Sequence, residues 1–117
     1  MGFLTTHVLD TVYGGPASGV RIDLYRIFDA KAALVCDVTT DEDGRCDGPI
    51  LNEDDFAVGT YELRFHIGDY FKAKGVDLPE PAFLDIVPIR FGVASPEEHY
   101  HVPLLVSPYS FSTYRGS

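Results

Sequence analysis

Four histidines are the side chains of this sequence best suited to acid–base chemistry near neutral pH: His7, His66, His99 and His101. An imidazole titrates near pH 6.5, so it takes up and returns a proton under ordinary conditions. His99 and His101 stand two apart in a stretch with strand character, which turns both side chains to one face. A His-x-His pair also has zinc-ligand spacing, with His7 as a third ligand and Cys46 as a fourth. His7 shares a strand face with Thr5 and Leu9, while His66 falls on the polar side of its strand, where a hydrogen-bonded, solvent-facing role is the plain reading. Arg45 offers a planar fork of donors and a permanent charge just after a turn; on its own it reads as a surface charge. The terminal Tyr114, Arg115, Gly116 and Ser117 read as a chain end, and chain ends are ordinarily frayed. There is no Gly-x-Ser-x-Gly elbow and no Gly-rich phosphate loop, and Cys36 has no neighbouring group that would activate its thiol.

The elements that must hold these groups are mostly strands. Tyr61, Leu63, Phe65 and Ile67 alternate with Glu62, Arg64 and His66, the period of a strand with one buried face. Val20, Ile22 and Leu24 alternate with Arg21 and Asp23, and Val87, Ile89, Phe91 and Val93 alternate with Pro88, Arg90 and Gly92. Pro88 lacks an N–H and marks that run as an edge strand or an irregular start. Gly14-Gly15-Pro16 separates a strand over 4–10 from the next, Asp29-Ala30-Lys31 joins two long strands, and the segment 41–44 is a turn. Ser107-Pro108 divides two further strands, near 100–106 and 109–114. One helix is expected, capped by Asp69, running through Tyr70 to Lys74 and stopped by Gly75. Seven or eight short strands with one short helix predict an all-β, two-sheet β-sandwich, and 117 residues fit one domain, 1–117.

Composition narrows the function classes. Forty-five percent of the residues are hydrophobic, enough for a core. The net charge of −9 repels phosphate backbones and argues against nucleic acid as a partner. No stretch approaches the roughly 20 apolar residues of a membrane-spanning helix, and no signal-peptide pattern opens the chain, so a cytoplasmic protein with free thiols at Cys36 and Cys46 is expected.

Several segments together resemble the 5-hydroxyisourate hydrolase family of transthyretin-like proteins. Leu4-Thr5-Thr6-His7-Val8-Leu9-Asp10-Thr11 is similar to its N-terminal signature, and Gly14-Gly15-Pro16-Ala17 to the turn that follows. Asp43-Gly44-Arg45, the stretch from Phe65 to Phe71, Tyr100-His101-Val102-Pro103-Leu104-Leu105 with Ser107-Pro108-Tyr109, and the ending Tyr114-Arg115-Gly116-Ser117 match in the same order. The resemblance spans essentially the whole chain. It implies a transthyretin-like sandwich, assembled as a homotetramer (a dimer of dimers) with active sites between the dimers. It implies hydrolysis of 5-hydroxyisourate at its N1–C6 lactam bond, giving 2-oxo-4-hydroxy-4-carboxy-5-ureidoimidazoline in urate degradation. It assigns His7, Arg45, His101 and Ser117 to catalysis, and Arg45, Tyr114 and Ser117 to substrate binding, with Gly116 letting the tail bend. No cofactor is implied, because the electron-poor ring already activates the carbonyl; zinc on the same histidines stays as an alternative. The fold is shared with transthyretin-type small-molecule carriers, which resemble this chain less: they carry Lys, Glu and Thr where it has His7, Arg45 and His101, and lack the Tyr-Arg-Gly-Ser ending. A structural interaction module is the remaining class.

Overall fold

The computed structural model describes residues 2–116, and the alternating segments form two β layers packed face to face. In chain order the elements are β1 (Phe3–Thr5), β2 (Val8–Asp10), β3 (Gly15–Pro16), β4 (Arg21–Phe28), β5 (Lys31–Thr39), β6 (Gly59–His66), α1 (Ile67–Ala73), β7 (Ile86–Val93), β8 (His99–His101), β9 (Leu104–Val106) and β10 (Phe111–Thr113). One layer is antiparallel, in the order β5-β4-β6-β7. The other joins the parallel pair β1-β8 to the sheet β10-β9-β2-β3. Leu4, Val8, Tyr100, Leu104 and Val106 of this second layer share one buried cluster with Ile22, Leu24, Leu63, Phe65 and Val87 of the first. Burying each such side chain stabilises by about 1.5–3 kcal/mol, so this cluster rather than strand propensity holds the layers together.

The strands expected over 4–10 and 100–106 each appear as two short pieces, broken at Thr6-His7 and Val102-Pro103. Pro103 has no N–H, which interrupts the ladder there. Pairing nevertheless runs through the break: the Val102 N–H donates to the Thr5 carbonyl at 3.0 Å and the Leu104 N–H to the His7 carbonyl at 2.9 Å. Alternation also persists, with Leu4, Thr6, Val8 and Asp10 buried while Phe3, Thr5, His7 and Leu9 are partly exposed. His7 therefore sits between two strands rather than within one, yet keeps the face it was expected to share with Thr5 and Leu9.

Pro88 lies in β7, an edge strand, where a missing donor leaves no partner strand unpaired. Asp29 and Ala30 form a two-residue hairpin turn with φ of 51° and 60°, joining β4 to β5. Gly15–Pro16, read from sequence as turn alone, pairs with β2.

The helix begins two residues before Asp69. The N–H groups of Ile67 and Gly68 both donate to the Asp85 carbonyl at 2.9 Å, so a distant loop caps the helix, and Asp69 falls in its first turn. Its end follows expectation. Gly75 has φ of 83°, and the bonds from Gly75 N–H to the Lys72 carbonyl and from Val76 N–H to the Phe71 carbonyl, both 3.0 Å, close a Schellman turn. No helix among the described residues is long and apolar enough to cross a membrane.

On the outer face of the antiparallel layer two nearly buried carboxylates have both oxygens occupied. Arg64 Nε donates to Glu62 Oε2 at 2.6 Å and Arg90 Nε to Oε1 at 3.0 Å. Arg21 Nε donates to Asp23 Oδ1 at 3.1 Å and His66 Nε2 to Oδ2 at 2.8 Å. Thus His66 has the hydrogen-bonded structural role its position suggested. Burial by itself would raise both acids, but the hydrogen bonds and charges of these partners outweigh it and hold Asp23 and Glu62 below the ordinary carboxylate range. A depressed folded-state pKa gives stability that is present above the unfolded value, near pH 4, and lost as the pH falls through the folded one. Glu62→Gln is therefore expected to destabilise the protein more at pH 7 than at pH 3. Urea unfolding at the two pH values checks this; equal losses at both would contradict it.

Candidate active site

The parallel register of β1 and β8 pairs Phe3 with His99, Leu4 with Tyr100 and Thr5 with His101. Leu4 and Tyr100 point into the core, so Thr5, His99 and His101 are left together on the opposite face. The Thr5 hydroxyl lies 2.7 Å from His99 Nε2 and 2.8 Å from His101 Nδ1. His99 also stacks on Phe3, with ring centroids 4.2 Å apart.

The turn over 41–44 brings Arg45 to this face. Asp41 Oδ1 accepts from the N–H groups of Asp43 and Arg45 at 2.9 and 3.1 Å, and the Gly44 N–H donates to the Asp41 carbonyl at 3.0 Å. The turn is docked on β2 by the Val8 N–H, which donates to the Gly44 carbonyl at 2.8 Å. Gly44 is required twice over: its φ is 74°, and a Cβ there would lie 2.4 Å from the Val8 carbonyl oxygen. Docking also places the Asp43 carbonyl 2.8 Å from His7 Nε2. A carbonyl only accepts, so His7 donates its Nε2–H to it. Gly44→Ala is expected to destabilise the protein by about 2–4 kcal/mol in urea unfolding. Gly19→Ala, at a similar φ of 85° but with open space around it, should lose only about 1 kcal/mol. Equal losses would show that the Val8 contact contributes nothing.

The resulting cavity is about 480 Å³ and is lined by Thr5, Thr6, Arg45, Cys46, Gly48, Pro49, His99 and His101. Burial, then the charges of Arg45, His99 and His7, lower the pKa of His101, so its neutral form, the one able to accept a proton, prevails at neutral pH. Cys46 is the reverse case. Burial, with Asp41 and Cys36 nearby, pushes its thiol up to about 11, which makes it a poor nucleophile; both cysteines are free. The residues considered for zinc, His7, His99, His101 and Cys46, are not gathered as one ligand group among the described residues. Both strand histidines aim at the Thr5 hydroxyl, and no cluster of three or more His, Cys, Asp or Glu among the described residues is arranged around a common point.

The tail runs back along β8. Arg115 Nη2 donates to Glu98 Oε1 at 2.8 Å, and its guanidinium lies over the Tyr100 ring, 4.1 Å from the centroid. The Gly116 N–H donates to the His101 carbonyl at 2.8 Å. A Cβ on Gly116 would come within 2.6 Å of His101 Cδ2, so glycine is needed for close approach to the imidazole, not for an unusual bend. Ser117 lies outside the described residues. Tyr114 is not in the cavity with Arg45 and His101; it lines another, with Ile89, Phe91, Tyr100 and Arg115.

Register and turn docking thus unite Arg45 and His101 in one cavity and add Thr5 and His99, while His7 lies beside it on the Asp43 carbonyl and is not in the cavity lining. Thr5 had been given no role of its own, and His99, one of the four candidate histidines, had been singled out further only as a metal ligand beside His101. The signal was present in period two, since Phe3, Thr5 and His7 share a face, but the parallel pairing with 99–101 was needed to use it. Chemically, the face combines a neutral imidazole, a guanidinium and a small cavity of mixed polar and apolar lining, which suits base-assisted addition of water to a carbonyl.

A model of the HIUase/Transthyretin family matches residues 4–116. A 5-hydroxyisourate hydrolase of Rhizobium meliloti is 60% identical over 99% of this chain and 97% of its own length. The crystal structure of an (S)-allantoin synthase superposes with a TM-score of 0.92 at 52% identity, covering 99% of this chain and 44% of that one. Sea bream transthyretin in complex with thyroxine superposes with a TM-score of 0.85 at 28% identity, covering 97% of this chain and 93% of its own.

Proposed function

The chain belongs to the HIUase/Transthyretin family, and from that premise we propose that it hydrolyses 5-hydroxyisourate to 2-oxo-4-hydroxy-4-carboxy-5-ureidoimidazoline in urate degradation. The observation that carries the reading is the cavity in which Arg45 and a neutral His101 converge, with the Gly116 backbone locked onto His101. His101 takes a proton from water as its oxygen attacks C6. The oxyanion faces the Arg45 guanidinium, which stays charged and donates several hydrogen bonds. Collapse breaks C6–N1, and the proton held by His101 passes to the leaving nitrogen. His7, held by the Asp43 carbonyl at Nε2, assists proton movement or substrate orientation. Ser117 closes the pocket through its hydroxyl or carboxylate. The role of Tyr114 is to direct the tail, in keeping with its separate cavity.

The assembly that suits this site is a cytoplasmic homotetramer of one-domain chains, 1–117. Support comes from the partly exposed sheet face that bears His7, His99 and His101, and from the exposed Tyr109, Phe111 and Tyr114 in and beside the edge strand β10. Light scattering that finds a fully active monomer would refute an inter-subunit site. A transthyretin-type carrier would use the same sandwich without needing ionisable groups converged on a small cavity. The deciding experiment follows ultraviolet absorbance after urate oxidase generates 5-hydroxyisourate. Decay faster than the spontaneous rate supports the hydrolase, and an unchanged rate overturns it.

A further inference from the structure

We propose that His99, Thr5 and His101 form a hydrogen-bonded relay in which Thr5 is a positioning residue, holding His101 in the tautomer whose Nε2 lone pair faces the attacking water. The proposal rests on the hydrolase reading for its kinetics and on geometry for its hydrogen bonds. Thr5 Oγ1 is within 2.7 and 2.8 Å of two ring nitrogens, but a hydroxyl has a single proton and donates to only one of them. At least one imidazole must therefore donate to it.

Two arrangements keep the Thr5 proton within the trio. In the first, Thr5 donates to His101 Nδ1, so the remaining His101 proton sits on Nε2 and the ring is an acid. In the second, His101 Nδ1–H donates to Thr5 Oγ1, and the Thr5 proton goes to His99 Nε2. His101 Nε2 is then a lone pair and the ring is a base. A concerted shift along these hydrogen bonds turns the second arrangement into an acid once His101 Nε2 is protonated. After Nε2 takes a proton from water, the Nδ1 proton moves to Thr5 as the Thr5 proton moves to His99. The positive charge then resides on His99, and His101 is a neutral Nε2–H acid ready for the leaving nitrogen. No proton is gained or lost in the shift.

The surroundings favour moving charge off His101. It faces Arg45 from the turn, His7 from the β1–β2 junction and His99 on its own strand, and burial opposes its charged form. Strand pairing does not need the Thr5 hydroxyl. The backbone register and the bond from Val102 N–H to the Thr5 carbonyl already join the strands, and Thr6, not Thr5, donates its hydroxyl to the Val102 carbonyl, at 2.6 Å.

The test uses Thr5→Val, which keeps the β-branched shape, and Thr5→Ser, which keeps the hydroxyl. Thr5→Val is expected to lower kcat about 10–100-fold with KM changed less than about threefold, and Thr5→Ser to restore kcat to within about threefold. Loss of the acceptor for His101 Nδ1–H disfavours the imidazolium, so the acid limb of the kcat profile should move to lower pH in Thr5→Val. Nitrogen-15 NMR of the imidazoles reads the relay without any turnover. In the native protein at pH 8, His101 should carry its proton on Nδ1, and in Thr5→Val it should become a tautomer mixture. His101 protonated only on Nε2 in the native protein, or Thr5→Val with native kcat and an unmoved profile, would overturn the relay. A native protein without hydrolase activity but with the Nδ1–H tautomer would sink the substrate reading and leave the hydrogen-bond assignment standing.

Discussion

His101→Asn is expected to lower kcat for 5-hydroxyisourate by about 10²–10⁴-fold, the usual range for a lost general base, with KM changed far less. Asparagine keeps a polar group near Thr5 but offers no nitrogen that takes a proton at neutral pH. Strand β8 should survive the change, because His101 is on the outward face and the core contacts of its strand come from Tyr100. Steady-state kinetics with the coupled ultraviolet assay, alongside a thermal melt, separate chemistry from folding. A variant with native kcat and native stability would move the base elsewhere, and His7 would be the next imidazole to replace.

Removing Arg115, Gly116 and Ser117 is expected to lower kcat/KM by about 10²-fold or more while leaving the fold intact. The described part of the tail makes two connections to β8, Arg115 over Tyr100 and Gly116 to the His101 backbone, and one to Glu98 just before it, from Arg115. Neither Arg115 nor Gly116 belongs to the hydrophobic core, so the melting temperature should move by only a few degrees. The effect on rate arises because Gly116 lies against the imidazole ring. Without it His101 gains freedom and the pocket opens to water, and small misplacements of a catalytic group lose rate steeply. An untagged truncation that retains full kcat/KM would exclude the tail, and with it Ser117, from the site.

The alternation through 20–24, 61–67 and 87–93 was legible because one buried face imposes period two on any sequence that forms it, although Ile67 turned out to open α1. Pro88 at an edge and Gly75 at the helix end were legible because each residue carries its own backbone constraint. The start of α1 was not, since the Asp85 carbonyl that caps it arrives from a loop 17 residues beyond Gly68. The breaks at Thr6-His7 and Val102-Pro103 were hidden for a related reason: hydrophobic alternation continues across them, and only hydrogen-bond partners reveal them.

The same division runs through the site. By itself the sequence determined that His99 and His101 face one way, that His7 shares a face with Thr5, that Arg45 follows a tight turn, and, through resemblance, which chemistry such residues perform. Tertiary structure decided that these faces coincide. The parallel register sets Thr5 against His101, and the docked Gly44 carries Arg45 and the Asp43 carbonyl to His7. It also decided that Gly116 is glycine for the sake of an imidazole 15 positions earlier, and that Tyr114 faces a different cavity. The physical reason is that side-chain direction is local, set by backbone period, whereas a hydrogen-bond partner or a steric limit belongs to whichever distant segment the register brings alongside.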